Sequence, residues 1–151
     1  MKHLGKIYAT RNNFVLVIQH SLSGIMAKYK REIPAKMLRI AFDQANGHLE
    51  ISGRSINENS FELYRPLIDA LESYSDNALP VTNVSIHFKY FSARSFKSML
   101  HVLRKLASIK EKGKSVVINW IYEDDLVLEV GEDYQSIINL PFQMRQASGR
   151  N

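Results

Sequence analysis

Six residues in the middle of the chain have the types and spacing that could handle an anion. They are Tyr90-Phe91-Ser92-Ala93-Arg94-Ser95, where an alternating strand gives way to a helix. Backbone N–H groups and the positive end of the helix dipole converge at such a junction, which suits a phosphoryl group. A phosphate on a hydroxyl there would add up to ~2 negative charges and reshape a docking surface. The plainer reading is that Ser92 or Ser95 is a helix N-cap. No side chain in the segment is a natural general base, which argues against an enzyme acting on a small anion.

Other chemistry is weaker. Glu123-Asp124-Asp125 could offer oxygen ligands to Mg²⁺, but acids also favour a helix start. Lys105, Lys110, Lys112 and Lys114 could meet phosphates, yet Glu111 interrupts them and no aromatic residue is interleaved as a stacking platform. His87 lies on the polar phase of its strand, and Trp120 sits in an apolar run that reads as core. The five histidines are scattered, and there is no cysteine to form a disulfide, a thiolate nucleophile or a zinc site. Gly-rich phosphate loops, G-x-S-x-G, H-E-x-x-H and calcium loops are all missing. The expectation is a protein without a cofactor or metal.

The elements that must position the junction are legible in the pattern. Met37–Phe42 suits a strand, Asn46-Gly47 a tight turn, and His48–Ser52 a second strand, giving a hairpin. The polar loop Gly53–Asn59 leads to a helix, capped by Asn57 or Asn59, whose stripe is Phe61, Tyr64, Leu67, Ile68, Leu71 and Tyr74. Pro66 is expected in its first turn or at a slight kink. Val84, Ile86, Phe88 and Tyr90 alternate with polar residues as a strand. A second helix runs from about Ser95 to Lys112 and stops at Gly113. Val116–Tyr122 is a buried strand, Asp124–Ile138 in part a third helix, and Leu140–Met144 a final edge strand. Strands alternating with helices give crossovers and a partly parallel sheet. The class is α/β, a mixed sheet opened by an antiparallel hairpin.

The 151 residues suit one domain with a sizeable core. The net charge of +5 hints at nucleic acid or an acidic membrane. Residues 1–32 hold all of it, because 33–151 carry fourteen basic and fourteen acidic side chains. A dedicated nucleic-acid domain is therefore not expected, and the apolar run Phe14–Ile18 is far short of a membrane span. The same run is too short for a secretory signal. Residues 1–33 read as an N-terminal extension, a short extra strand or partly disordered, or as non-native sequence before a start at Met26. A cytoplasmic location is expected.

The segment also carries a family pattern. Phe42-Asp43, Asn46-Gly47, Gly53-Arg54-Ser55-Ile56-Asn57-Glu58-Asn59, Gly113, the strand Val116–Tyr122, Gly131-Glu132-Asp133 and Leu140-Pro141-Phe142 occur at nearly the family's spacings. Residues 34–146 thus resemble the SiaC-type regulatory phosphoproteins, which are similar in fold to the STAS domains of anti-sigma-factor antagonists; 147–151 are a tail. The resemblance implies a single STAS-like domain and a non-enzymatic switch in bacterial c-di-GMP signalling and biofilm formation. The implied partners are a Ser/Thr kinase with a histidine-kinase-like ATPase fold, a PP2C-type phosphatase and a diguanylate cyclase. The implied partner surface is Arg54, Ser55, Glu58, Asn59, Phe91, Ser92, Ala93, Arg94 and Ser95. One departure stands at the switch. The family's phosphoacceptor Thr is Ala93 here, which has no hydroxyl, and Asn57 replaces a Pro. Either Ser92 or Ser95 substitutes, or the protein is a permanently unphosphorylated variant. An anti-sigma-factor antagonist of the general STAS kind, with a different target, is the alternative.

Overall fold

The computed structural model describes residues 4–9, 14–19, 38–55 and 60–147. Among the described residues, seven strands and three helices follow in order: β1 (Leu4–Ala9), β2 (Phe14–Gln19), β3 (Leu38–Asp43), β4 (His48–Ser55), α1 (Ser60–Ser75), β5 (Val81–Phe91), α2 (Phe96–Glu111), β6 (Ser115–Tyr122), α3 (Asp125–Ile137) and β7 (Phe142–Gln146). A 3-10 turn, Ala93–Ser95, joins β5 to α2. Strands β1 and β2 pair antiparallel, from Leu4 opposite Gln19 to Ala9 opposite Phe14. The β1 backbone lies against β3.

The main sheet has the order β3-β4-β5-β6-β7. Its β3–β4 pair is antiparallel and the other three pairs are parallel, as a hairpin followed by crossovers should give. Gly47 closes the hairpin with φ +63°, and a Cβ there would meet the Val81 carbonyl at 2.9 Å. Both demands select glycine. The Gly47 carbonyl in turn accepts from Asn83 N at 2.8 Å, fastening the hairpin to β5.

Burial alternates along the strands. Leu49 and Ile51, then Val84, Ile86 and Phe88, then Val116, Ile118 and Trp120 point into one core with the helices. Glu50, Ser85, His87 and Asn119 lie on the opposite phase and are half-buried. A strand buried on both faces would read as a continuous apolar run. The polar alternation of β5 therefore matches a sheet whose helices sit on one side.

Each helix is held for a separate reason. In α1, Tyr64, Leu67, Leu71 and Tyr74 are buried, and the Tyr74 hydroxyl meets Thr82 Oγ1 of β5 at 2.8 Å. Pro66 is the seventh residue of α1 and so lies inside the helix, not in its first turn. It removes one helical N–H, which the buried stripe on either side of it tolerates. The capping roles expected of Asn57 and Asn59 fall outside the described residues. Helix α2 buries Met99, Val102, Leu103, Leu106 and Ile109, and Gly113, with φ +95°, ends it. Three lysines on or just after this helix are structural ties. Lys105 pairs with Glu72, Lys112 with Asp76 at 3.3 Å, and Lys110 Nζ donates to the Asn139 carbonyl at 3.3 Å. Helix α3 starts where the Asp124 carboxylate accepts from Val127 N at 3.0 Å. Among the described residues, no helix is long and apolar enough to cross a membrane.

Candidate functional site

Strands β4 and β5 end side by side, and a register irregularity shapes what they present. Gly53 pairs with Phe88, but Arg54 pairs with Tyr90 and Ser55 with Phe91, so Lys89 is left over. An extra residue of this kind re-aims the side chains that follow it. Gly53 accommodates the irregularity with φ +105°. Tyr90 turns outward and is 46% exposed, with the Arg54 guanidinium 5.1 Å from its ring centre. Phe91 turns in, 4.8 Å from Phe88 and 6.3 Å from Tyr134.

The turn after β5 is fastened by hydroxyls. Ser92 N donates to the Ser55 carbonyl at 2.9 Å. Ser92 Oγ accepts from Arg94 N at 3.2 Å, so Ser92 caps the 3-10 turn. Ser55 and Ser95 are 1% and 0% exposed. Ser55 Oγ donates to Ser95 Oγ at 2.7 Å, and Ser95 Oγ donates to the Ser55 carbonyl at 3.1 Å. Each hydroxyl has one proton. The Tyr64 hydroxyl, 2.9 Å from Ser55 Oγ, is therefore the donor in that bond. One directed chain of protons runs from α1 through β4 to the turn. Burial pushes the Tyr64 phenol well above the usual tyrosine range, with the Ser55 contact opposing. Burial does the same to Tyr134, aided by its electrostatic coupling to Tyr64 and Asp133. Both phenols are neutral donors at physiological pH and neither is a base.

This chain yields a stability test. Ser55→Ala leaves the buried Tyr64 hydroxyl without its partner, at a cost of about 1–3 kcal/mol. Urea unfolding of the variant should show that loss. A change within the error of the wild-type curve would mean that the network does not hold the turn.

Ala93 is the first residue of the turn and is exposed, as is Arg94. Beside Ala93 opens a groove of about 330 Å³. Tyr90, Phe91 and Phe96 form one wall, and Leu126, Val127 and Val130 of α3 the other. Asp124, Glu129 and Asp133 also line it. Phe96 is fixed by stacking on Tyr134 at 4.4 Å and 13°, and Tyr134 Oη donates to the Phe96 carbonyl at 2.7 Å. Leu126 is 73% exposed at the groove's edge.

The structure brings Arg54, Ser55, Phe91, Ser92, Ala93, Arg94 and Ser95 to one corner of the sheet. Glu58 and Asn59 lie outside the described residues. Ser92 is half-buried and Ser95 fully buried, so of the two hydroxyls only that of Ser92 borders on solvent. The acids after β6 have other duties. Asp124 caps α3, and Glu123 Oε2 lies 2.9 Å from His87 Nε2. Among the described residues, no three His, Cys, Asp or Glu side chains are placed to hold a metal ion. Sequence reasoning missed Phe96, Leu126, Glu129 and Asp133. Leu126 carried one signal, an apolar residue out of phase with the Val127, Gly131, Tyr134 stripe of its helix.

Several known proteins are similar to this chain. A sequence model of the SiaC family regulatory phosphoproteins matches residues 33–147. An uncharacterized protein of Pseudomonas aeruginosa (strain UCBPP-PA14) is 27% identical over 105 residues, covering 68% of this chain and 83% of that protein. The structure of SiaC of Pseudomonas aeruginosa matches with a TM-score of 0.68 and 25% identity, covering 78% of this chain and 96% of that one. A chain in the structure of the diguanylate cyclase SiaD in complex with its activator SiaC, from the same organism, also matches. There the TM-score is 0.68, the identity 25%, and the coverage 76% of this chain and 95% of that one.

Proposed function

The chain belongs to the SiaC family of regulatory phosphoproteins, and on that premise we propose that it is a non-enzymatic regulator that binds and activates a diguanylate cyclase. SiaC of Pseudomonas aeruginosa is described as the activator of the cyclase SiaD. The reading carried over here is c-di-GMP control through protein docking, with residues 34–146 as the docking unit. The observation that supports it is the exposed Ala93 on a hydrogen-bonded turn beside an open groove.

The regulation differs from a phosphoswitch. Ala93 cannot accept a phosphate. Ser95 is buried and hydrogen-bonded, so a kinase could reach it only by opening the turn. Ser92 is the single plausible substitute, and its oxygen already caps the turn. A phosphate there would break the cap. We therefore read the protein as constitutively competent to bind its cyclase, with a Ser/Thr kinase of the histidine-kinase-like ATPase fold as a second docking partner and a PP2C-type phosphatase without a substrate in this chain.

Titration of the purified chain against a diguanylate cyclase encoded in the same genome tests the reading. Saturable binding with a rise in cyclase turnover is expected. Binding to an anti-sigma-factor kinase with no binding to the cyclase would replace this reading with that of a STAS-type antagonist.

A further inference from the structure

We infer that the groove between the Ala93 turn and α3 seats a segment of the cyclase that has an aliphatic or aromatic anchor flanked by Lys or Arg. This rests on the reading that a cyclase is the partner. The groove's walls are aromatic and aliphatic, and three carboxylates line it with no Lys or Arg among them. A pocket of about 330 Å³ has room for a large apolar anchor of the kind that dominates binding at protein interfaces.

Exposure points the same way. Leu126 and Tyr90 stand on opposite sides of the groove, 73% and 46% exposed. Large apolar side chains so placed and rimmed by charge mark an interaction site. Leu126 faces away from the helix stripe that packs on Trp120, so its burial needs a partner. The acids set the partner's sign. Glu129 and Asp133 are exposed, so a cationic flank would be steered toward the groove and a further acid repelled. The Arg54 guanidinium lies 5.1 Å from the Tyr90 ring centre, and neither Arg54 nor Arg94 lines the groove.

The test is titration of the full chain and its variants against the intact cyclase at low and high salt. Leu126→Asp should weaken binding about tenfold or more. Glu129→Lys with Asp133→Lys should weaken it too and flatten its salt dependence. All three positions are exposed, and circular dichroism should show the fold unchanged. Hydrogen exchange on the cyclase should protect a segment containing an apolar anchor beside Lys or Arg. Unaltered affinity for Leu126→Asp, or protection confined to an acidic segment, overturns the groove while leaving the cyclase as partner. No binding by the unaltered chain overturns both.

Discussion

Trp120→Ala is expected to destabilise the domain by about 3–5 kcal/mol, a large share of the stability of a domain this size. The indole is fully buried. Its ring packs against Phe88, Tyr134 and Phe142, with centres 5.8, 5.7 and 6.4 Å away. Its Nε1 donates to the Val127 carbonyl at 2.9 Å. Truncation leaves a cavity between β6 and α3 and removes the indole donor from a carbonyl in the first turn of that helix. The residues lining the cavity are themselves aromatic and interlocked, so collapse is limited. The opposing surface is equally specific. A Cβ on Gly131 would lie 2.5 Å from Trp120 Nε1. That is closer than any relaxed contact, and a buried ring cannot swing away as an exposed side chain can. Gly131→Ala should therefore also destabilise. Urea unfolding reads both. A loss below about 1 kcal/mol for Trp120→Ala would show that α3 is not seated on β6 as described.

Ala93→Glu is expected to weaken cyclase binding at least about tenfold, or 1.4 kcal/mol, with little change in stability. The position is exposed and its side chain supports nothing, so the folded state should move by no more than about 0.5 kcal/mol. Two effects then compete at the interface. A new carboxylate could attract a cationic flank, worth about 1 kcal/mol at most for an exposed pair. It must also be desolvated where it crosses an apolar groove, at a cost of several kcal/mol. Desolvation wins. Ala93→Ser, which is small and neutral, should bind within a factor of ~2 of wild type, because loss of a neutral rim contact is worth little. Equal affinity of Ala93→Glu and wild type, by calorimetric titration, would move the docking surface elsewhere.

Local signals carried most of the architecture. Asn46-Gly47 marks the hairpin because few dipeptides accept its backbone. The alternation in Val84–Tyr90 marks β5 and also predicts a sheet polar on one face. The Ala93 corner could be named because a strand end and a helix start lie next to each other in sequence. What joins it to the rest was not legible. Ser55 and Ser95 meet across 40 positions, and no short-range pattern encodes that encounter. The irregularity between Gly53 and Arg54 decides which way Tyr90 faces, and it arises from pairing with β5. Of the two places expected for Pro66, the first turn and a slight kink within the helix, local propensity favours the first. Tertiary burial of Tyr64, Leu67 and Leu71 carries the helix through it. The groove is an encounter between β5, the turn and α3, so its acids read in sequence as ordinary helix-surface charge.

The central claim is that loss of the hydroxyl at position 93 leaves this SiaC-type regulator permanently able to activate its cyclase. The most direct measurement is c-di-GMP production by the cyclase in the presence of the chain, before and after the chain is incubated with kinase and ATP, with the phosphate located by mass spectrometry. Equal activation in both arms and no phosphate on Ser92 or Ser95 are expected. Loss of activation after kinase treatment, with phosphate on Ser92 or Ser95, would contradict it.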